Sequence, residues 1–171
     1  MKISKLPNLD ESVLEGLNFF IKNKPKKLNL KNYNFPIVVG SGNAYNTGKI
    51  IFSGQAAVFA NESTFKNTLK AYAPLIKSKT IKQAIIISAS GGKDAAWEIK
   101  LAKKNKLKTT LFTCNAESEG AKLADEVILF RKNAEPQTYN ISTYLGIILA
   151  VSGESILNIQ KFIKRPITIH F

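Results

Sequence analysis

The stretch Ser88-Ala-Ser-Gly-Gly-Lys93 follows the apolar run Ala84-Ile-Ile-Ile87 and precedes apolar residues at helical spacing, namely Ala95, Ala96, Ile99 and Ala102. This order predicts a buried strand, a turn and a helix. At such a turn the free backbone amides, two hydroxyls and the positive end of the helix dipole point at one place, which suits a phosphate or a carboxylate. The alternative is an ordinary turn in which serine and glycine act only as turn and cap residues.

A second turn of similar composition, Gly40-Ser-Gly-Asn-Ala-Tyr45, follows the apolar run Phe35-Pro-Ile-Val-Val39. In a parallel sheet both turns lie at the carboxyl edge, so they could face one another. Gly40 and Gly42 begin like a dinucleotide-binding fingerprint, but Tyr45 occupies the place of its third glycine, where a large ring would obstruct the approach of helix to strand. The pattern argues against NAD-type binding, and no cofactor is predicted.

Predicted strands alternate with predicted helices along the chain. The apolar runs that predict strands are 35–39, 56–60, 84–87, 108–113 and 126–130. In the first half of the chain, helical patterns cover 8–24, 47–52 and 64–77, the last with a break near Pro74. A further helix follows the Ser88 turn and runs to about residue 105, and a short one lies within 115–123. One long helix extends from about 138 to 161. Continuous apolar strands are typical of a parallel sheet covered on both faces. We therefore predict an α/β fold, a three-layer α/β/α sandwich, in a single domain over residues 1–171 with its core at 35–163.

The composition restricts the function classes. The net charge is +13, but of the 25 basic residues only Arg131 and Arg165 are arginine. Proteins that read bases usually carry more arginine and a recognisable module, so nucleic-acid binding is a weaker interpretation that rests on charge alone. The positive field would still attract anionic metabolites.

The cysteine count and the apolar runs indicate the compartment. The single cysteine, Cys114, ends an apolar segment and is expected to be a buried, inert thiol. The longest apolar run, 144–151, is too short to cross a membrane. The N-terminus lacks the apolar core of a signal peptide. The expected location is the cytoplasm, and no metal site is predicted.

The two turns together resemble the sugar isomerase (SIS) domain family, whose first turn reads Gly-x-Gly-x-Ser-Tyr and whose third strand is followed by Ser-x-Ser-Gly-Glu-Thr. Further similar elements, in the family's order, are Glu62-Ser-Thr-Phe65, Thr113-Cys-Asn115, Leu123-Ala-Asp125, and Glu135 with Ser142-Thr143. The resemblance covers roughly residues 10–163. It implies a five-stranded parallel sheet of the flavodoxin-like type and a phosphosugar ligand.

The resemblance also implies a phosphate site. Its members would be the serine hydroxyls and glycine amides of the second turn, the polar residues of the first turn, and a threonine of the last helix: Gly42, Asn43, Ala44, Ser88, Ser90, Gly91, Gly92, Lys93 and Thr143. Ala44 stands where the family has a serine, and Lys93 where it has a threonine. We expect the Lys93 ammonium to compensate for the missing hydroxyl, because a charge-assisted hydrogen bond contributes about 1.5–3 kcal/mol against about 1 kcal/mol for a neutral one. The alternative is that Lys93 points to solvent from the first turn of its helix.

Aldose–ketose isomerisation needs a base that moves a proton between adjacent carbons. The candidate bases are Glu62, after the second strand, and Glu135, after the fifth; an exposed loop carboxylate is the alternative for each. The single histidine, His170, lies next to the end of the chain. Two functions remain open, namely a sugar-phosphate isomerase, alone or as part of an aminosugar-phosphate-forming enzyme, and a non-catalytic phosphosugar-binding domain. We expect a homodimer or tetramer, or one lobe of a longer protein.

Overall fold

The computed structural model describes residues 8–134 and 140–163. Five parallel strands form a sheet in the order β2-β1-β3-β4-β5. Their bounds are Ile37–Val39 for β1, Val58–Ala60 for β2, Gln83–Ile87 for β3, Lys108–Thr113 for β4 and Glu126–Leu129 for β5. The strand order reverses between β1 and β3, which is the position where open α/β sheets bind ligands.

Helices cover both faces of this sheet. They are α1 (Leu9–Lys22), α2 (Asn43–Ile51), α3 (Phe65–Ala71), α4 (Ala73–Lys77), α5 (Lys93–Lys104), α6 (Glu119–Leu123), α7 (Ile141–Ser152) and α8 (Ile156–Ile163), with a 3-10 turn at Leu30–Asn32. Helices α1, α2 and α7 pack together on one face, and α3, α5 and α6 pack on the other. The predicted α/β fold with an all-parallel sheet is confirmed. Within the described residues, no helix is long and apolar enough to cross a bilayer.

The central strand β3 supplies both hydrophobic cores. Ala84 and Ile86 belong to the core under α3 and α5, whereas Ile85 and Ile87 belong to the core under α2 and α7. All four side chains are essentially inaccessible to solvent. Successive side chains of a strand point to opposite faces, so this continuous apolar run fits a sheet covered on both sides.

Two predicted helix bounds are wrong. Helix α1 ends at Lys22, short of the predicted residue 24. Helix α2 begins at Asn43, earlier than the predicted Thr47, because Gly42 at φ +54° starts the helix directly after the strand. Asn43 and Ala44, predicted as turn residues, therefore lie in its first turn.

The predicted long helix over 138–161 is in fact two helices. Gly153 adopts a left-handed φ of +67° after α7, and its amide donates to the Leu149 carbonyl. This is the usual glycine helix end. Helix α8 then starts at Ile156. The break predicted near Pro74 is confirmed, because α3 and α4 meet at Tyr72.

The close approach of helix to strand occurs at Gly48 in α2. A Cβ atom at Gly48 would lie 2.8 Å from Cγ1 of Val38 in β1. Tyr45, whose ring we expected to obstruct such an approach, is half-buried in the same helix. Helix α2 is thus packed tightly against β1, which fixes the position of the turn between them.

Candidate functional site

The two turns line one cavity of about 220 Å³ at the carboxyl edge of β1 and β3. The first turn contributes Gly40, Ser41 and Ala44, and the second contributes Ser88, Ala89 and Ser90. The turns meet because β1 and β3 are hydrogen-bonded neighbours, with Val39 opposite Ile86. The rest of the lining comes from other elements, and the polar residues among it are Glu62, Asp94, Glu98, Lys132, Asn140 and Tyr144.

The Ser88 turn is held by its own hydroxyls. The Gly91 amide donates to Ser88 Oγ at 3.1 Å, and the Gly92 amide donates to Ser90 Oγ at 3.4 Å. The two glycine amides are therefore engaged within the turn. A hydroxyl that accepts a hydrogen bond still carries an O–H that can donate, so Ser88 and Ser90 can offer donors to an anion in the cavity.

Helix α6 supports this turn. Gly91 has a left-handed φ of +60°, and a Cβ atom on it would overlap with Ser118 Oγ. Ser118 is the N-cap of α6 and accepts from the Ala121 amide at 3.1 Å. The conformation and the close contact both require glycine at position 91.

The Gly40 turn is also compact. A Cβ atom on Gly40 would lie 2.9 Å from both the carbonyl carbon and Cβ of Ala44. The Ala44 amide donates to the Ser41 carbonyl at 3.1 Å, and Ala44 is buried at the cavity wall. Neither Gly42 nor Asn43 lines the cavity; both are exposed.

Two further predicted phosphate residues lie elsewhere. Lys93 is exposed at the start of α5 and does not line the cavity. Thr143 is fully buried, and its Oγ1 accepts from Cys114 Sγ at 3.6 Å. Cys114, expected to be buried, is half-buried. The lysine that does line the cavity is Lys132, which follows β5.

Of the two predicted bases, Glu62 is at the cavity and Glu135 lies outside the described residues, as does His170. Glu62 is exposed, and its Oε2 accepts from Ser41 Oγ at 3.4 Å. This contact joins the loop after β2 to the first turn, so Glu62 is placed where it could reach a ligand between the turns.

A third carboxyl, Glu98 of α5, was not predicted. It is only 4% exposed and lines the cavity. Burial raises its pKa to about 7, and the negative charges of Glu62 and Asp94 act in the same direction. Helical spacing could have predicted that Glu98 is buried, because it follows Ala95 by three residues and precedes Ala102 by four, on the buried face of α5. A carboxyl on an apolar helix face is a candidate for function.

Tyr144 of α7 closes the cavity beside Ala89. Burial raises the pKa of the Tyr144 phenol, the nearby Cys114 raises it further, and a hydrogen bond with the Ala89 backbone lowers it. The net shift is upward, so the phenol stays protonated at neutral pH. Tyr144 can therefore act as a neutral hydrogen-bonding group for a ligand.

An open groove of about 530 Å³ continues outward from the cavity. Ser41, Glu62 and Asp94 line both spaces. The groove is completed by Gly42, Asn61, Ser63 and Trp97. Trp97 is the single tryptophan of the chain and is 44% exposed. A ligand in the cavity could therefore extend past its acidic residues toward an indole ring.

No protein-family model matches the sequence, and no curated protein matches it. Solved structures do match. An Escherichia coli protein in complex with a sugar phosphate has a TM-score of 0.55 and 13% identity, covering 89% of this chain and 87% of that chain. A Listeria monocytogenes protein described as a candidate sugar-phosphate isomerase has a TM-score of 0.54 and 17% identity, covering 89% of this chain and 76% of that one.

The Vibrio vulnificus NanR protein, complexed with ManNAc-6P, also matches, with a TM-score of 0.52 and 17% identity. The match covers 88% of this chain and 57% of the NanR chain, so this sequence spans little more than half of that protein. At these identities the likeness establishes the fold.

Proposed function

We propose that this chain binds a sugar phosphate in the cavity between the Gly40 and Ser88 turns. The observation that carries the proposal is that both hydroxyl- and glycine-rich turns line one cavity at the switch point of the sheet. Two of the proteins with a similar fold are in complex with sugar phosphates, one of them ManNAc-6P, which supports the same ligand class.

In this proposal the phosphate of the ligand lies against the Ser88 turn. Ser88 and Ser90 supply hydroxyl donors, and the Lys132 ammonium supplies a positive charge from the cavity lining. Gly91 and Gly92 hold the two serine oxygens in place through their amides. The roles of Gly42, Asn43, Lys93 and Thr143 in phosphate binding stay predictions, and none of the four lines the cavity.

For the reaction we propose aldose–ketose isomerisation. A carboxylate removes the proton from the hydroxyl-bearing carbon next to the carbonyl, and an enediolate forms. The proton then returns to the former carbonyl carbon, and the hydroxyl proton passes from one oxygen to the other, so atoms and charge balance. Of the three carboxyls that line the cavity, those of Glu62, Asp94 and Glu98, we propose Glu62 and Glu98 as the candidate bases. With a pKa of about 7, Glu98 can both accept and return a proton at neutral pH. Glu135 stays a prediction from the sequence.

The test combines binding with turnover. The protein is incubated with a panel of aldose and ketose phosphates, and its melting temperature and the interconversion of the sugars are measured together. Stabilisation with turnover supports the isomerase, and Glu62→Gln and Glu98→Gln then identify the base by which of them abolishes kcat. Stabilisation without turnover indicates the alternative, a non-catalytic binding domain. A panel that neither stabilises the protein nor reacts would contradict the proposal.

We further propose that the chain assembles as a symmetric dimer or tetramer, as predicted from the sequence. Its mass in solution, measured by light scattering at several concentrations, tests this. A monomer at all of them would contradict it.

A further inference from the structure

A second concave surface lies beside strand β5. It is a groove of about 590 Å³ between this strand and the loop that follows α1. The consecutive residues 127–131 all line it. Side chains alternate between the two faces of a strand, so an unbroken run of lining residues means that the groove follows the edge of β5. The groove shares no lining residue with the cavity of the proposed function.

The edge of β5 offers backbone groups to this groove. Among the described strands, β5 is the last of the sheet and pairs with β4 alone. The Phe130 amide donates to the Thr113 carbonyl of β4. Backbone groups of successive residues point alternately to the two sides of a strand, so those of Val127 and Leu129 point away from β4. In the part of the chain that the structure describes, no backbone hydrogen bond from outside the sheet reaches these two residues.

The groove is strongly basic. Arg131 Nη1 donates to Asn23 Oδ1 at 3.0 Å, and Asn23 Nδ2 donates in turn to the Phe19 carbonyl, which holds the guanidinium at the groove. No carboxyl group of the described residues lines the groove, and neither ion pair found among those residues involves its cations. Such a cluster without counter-charge attracts an anionic partner. The cations that line it are Lys22, Lys24, Lys26, Lys27 and Arg131.

Lysines also protect edge strands from pairing, but then they lie on the strand itself. Here the four lysines belong to the opposite wall, residues 127–130 of the strand are all apolar, and Leu129 is 56% exposed. The edge of β5 is therefore open to a further strand.

We propose that this groove is a docking site for an extended acidic segment of another protein. The segment pairs with the outward backbone groups of Val127 and Leu129, and its carboxylates contact the lysines of the opposite wall. Segments that add a strand to a sheet edge gain affinity from main-chain hydrogen bonds and specificity from alternate side chains. This site is independent of the proposed function, because none of its residues lines the cavity.

Charge and shape disfavour other occupants of the groove. A second copy of β5 would bring its own cluster of cations and be repelled. Residues 1–7 and 164–171 of this chain contain lysine or arginine and no acidic residue. Single-stranded nucleic acid needs exposed rings on which bases stack, whereas the two phenylalanines of the groove, Phe20 and Phe130, are only 1% and 9% exposed.

The test uses a fluorescein-labelled peptide of alternating glutamate and valine, and the same peptide with lysine in place of glutamate. Binding to the full chain is measured by fluorescence anisotropy, and amide exchange with deuterium is followed by NMR. The acidic peptide should bind at least about tenfold more tightly than the basic one. It should also slow the exchange of the Val127 and Leu129 amides. No binding of the acidic peptide, or binding without this protection, would overturn the proposal.

Two double variants locate the charge contact. Lys22→Glu with Lys26→Glu reverses two charges of the groove and should weaken acidic-peptide binding about tenfold or more. The matched control is Lys66→Glu with Lys70→Glu, which reverses two exposed charges of α3 outside the groove and should preserve binding within about twofold. Equal weakening by both double variants would show attraction to the net charge alone and contradict a specific site.

A backbone variant tests the strand pairing. Leu129→Pro removes an outward amide that β4 does not use, which an edge strand tolerates, and it should abolish peptide binding in a protein shown to be folded by circular dichroism. Unchanged binding to this variant would overturn the pairing. Displacement of the acidic peptide by a thymidine oligonucleotide, or by a peptide of residues 164–171, at lower concentration than by unlabelled acidic peptide would assign the groove to that occupant instead.

Discussion

The Gly120 amide donates a 2.8 Å hydrogen bond to the carbonyl oxygen of Gly91, which ties the first turn of α6 to the turn after β3. A Cβ atom at Gly120 would lie 2.8 Å from that same oxygen, so the close contact requires glycine at position 120. The Ser88 turn is therefore anchored by a helix that does not itself line the cavity.

We predict that Gly91→Ala lowers the free energy of unfolding by about 2–4 kcal/mol. The left-handed backbone costs a side chain about 1–3 kcal/mol, and the new methyl group would displace the Ser118 cap, which contributes about 1 kcal/mol. Urea unfolding followed by circular dichroism measures the change. Gly54→Ala is the control, because a Cβ there meets nothing within 4 Å. A Gly91→Ala protein as stable as the control would contradict the described turn.

Two lysines near the Ser88 turn should behave differently. Both side chains are exposed, but only Lys132 lines the cavity. Lys132→Ala should weaken sugar-phosphate binding about tenfold or more, since it removes a charge-assisted contact. Lys93→Ala should change the dissociation constant by no more than about twofold, because Lys93 does not line the cavity and a charge outside it is screened by salt. The reverse order of effects would restore the sequence-based role of Lys93.

The buried carboxyl of Glu98 should make stability depend on pH. Its pKa of about 7 in the folded protein exceeds the ordinary value of 4.5, so the folded state retains a proton that the unfolded state releases between these values. Stability is therefore lost as pH rises from about 4.5 to 7. Glu98→Gln should remove this loss and exceed the wild type by up to about 3 kcal/mol at pH 8. Urea unfolding at pH 5 and pH 8 gives the comparison. A difference that stays constant with pH would show that Glu98 titrates normally.

The break between α7 and α8 should depend on Gly153. Its φ of +67° is left-handed, and a Cβ there would meet nothing within 4 Å. Gly153→Ala should therefore cost only the backbone strain, about 1 kcal/mol, with no steric clash. Thermal unfolding of this variant against Gly153→Asn checks the cause, since asparagine tolerates the left-handed region and should lose less. Equal losses of stability in the two variants would show that the left-handed backbone at position 153 is not the cause.

The strands and their alternation with helices were predictable because each strand is a short run of apolar and β-branched residues between polar turns. Strand β4 matches its predicted bounds at Lys108–Thr113. Helix ends were less predictable, since Gly153 ends α7 through its backbone conformation, and the apolar spacing continues past it. The spacing of apolar residues therefore does not predict where such a helix ends.

The site was predictable only where it is local in sequence. The two turns were found because hydroxyls and glycines follow apolar strands. Lys132 was not predicted, since its position depends on how the chain returns after β5. The role of Lys93 stays a prediction, and its place outside the cavity could not be predicted because sequence proximity to Ser90 does not determine which side of α5 faces the cavity. Glu98 was the avoidable omission, as its helical spacing already placed it on the buried face.

The number of paired backbone positions differs between the strand pairs of the sheet. β1 and β2 share three paired positions, whereas β3 and β4 share five. Backbone amides at the β2 margin should therefore exchange with deuterium sooner than those of β3, because fewer bonds must break to release that strand. Glu62 follows β2 and the Ser88 turn follows β3. Local opening of β2 would therefore move Glu62 away from the cavity while the Ser88 turn stays folded.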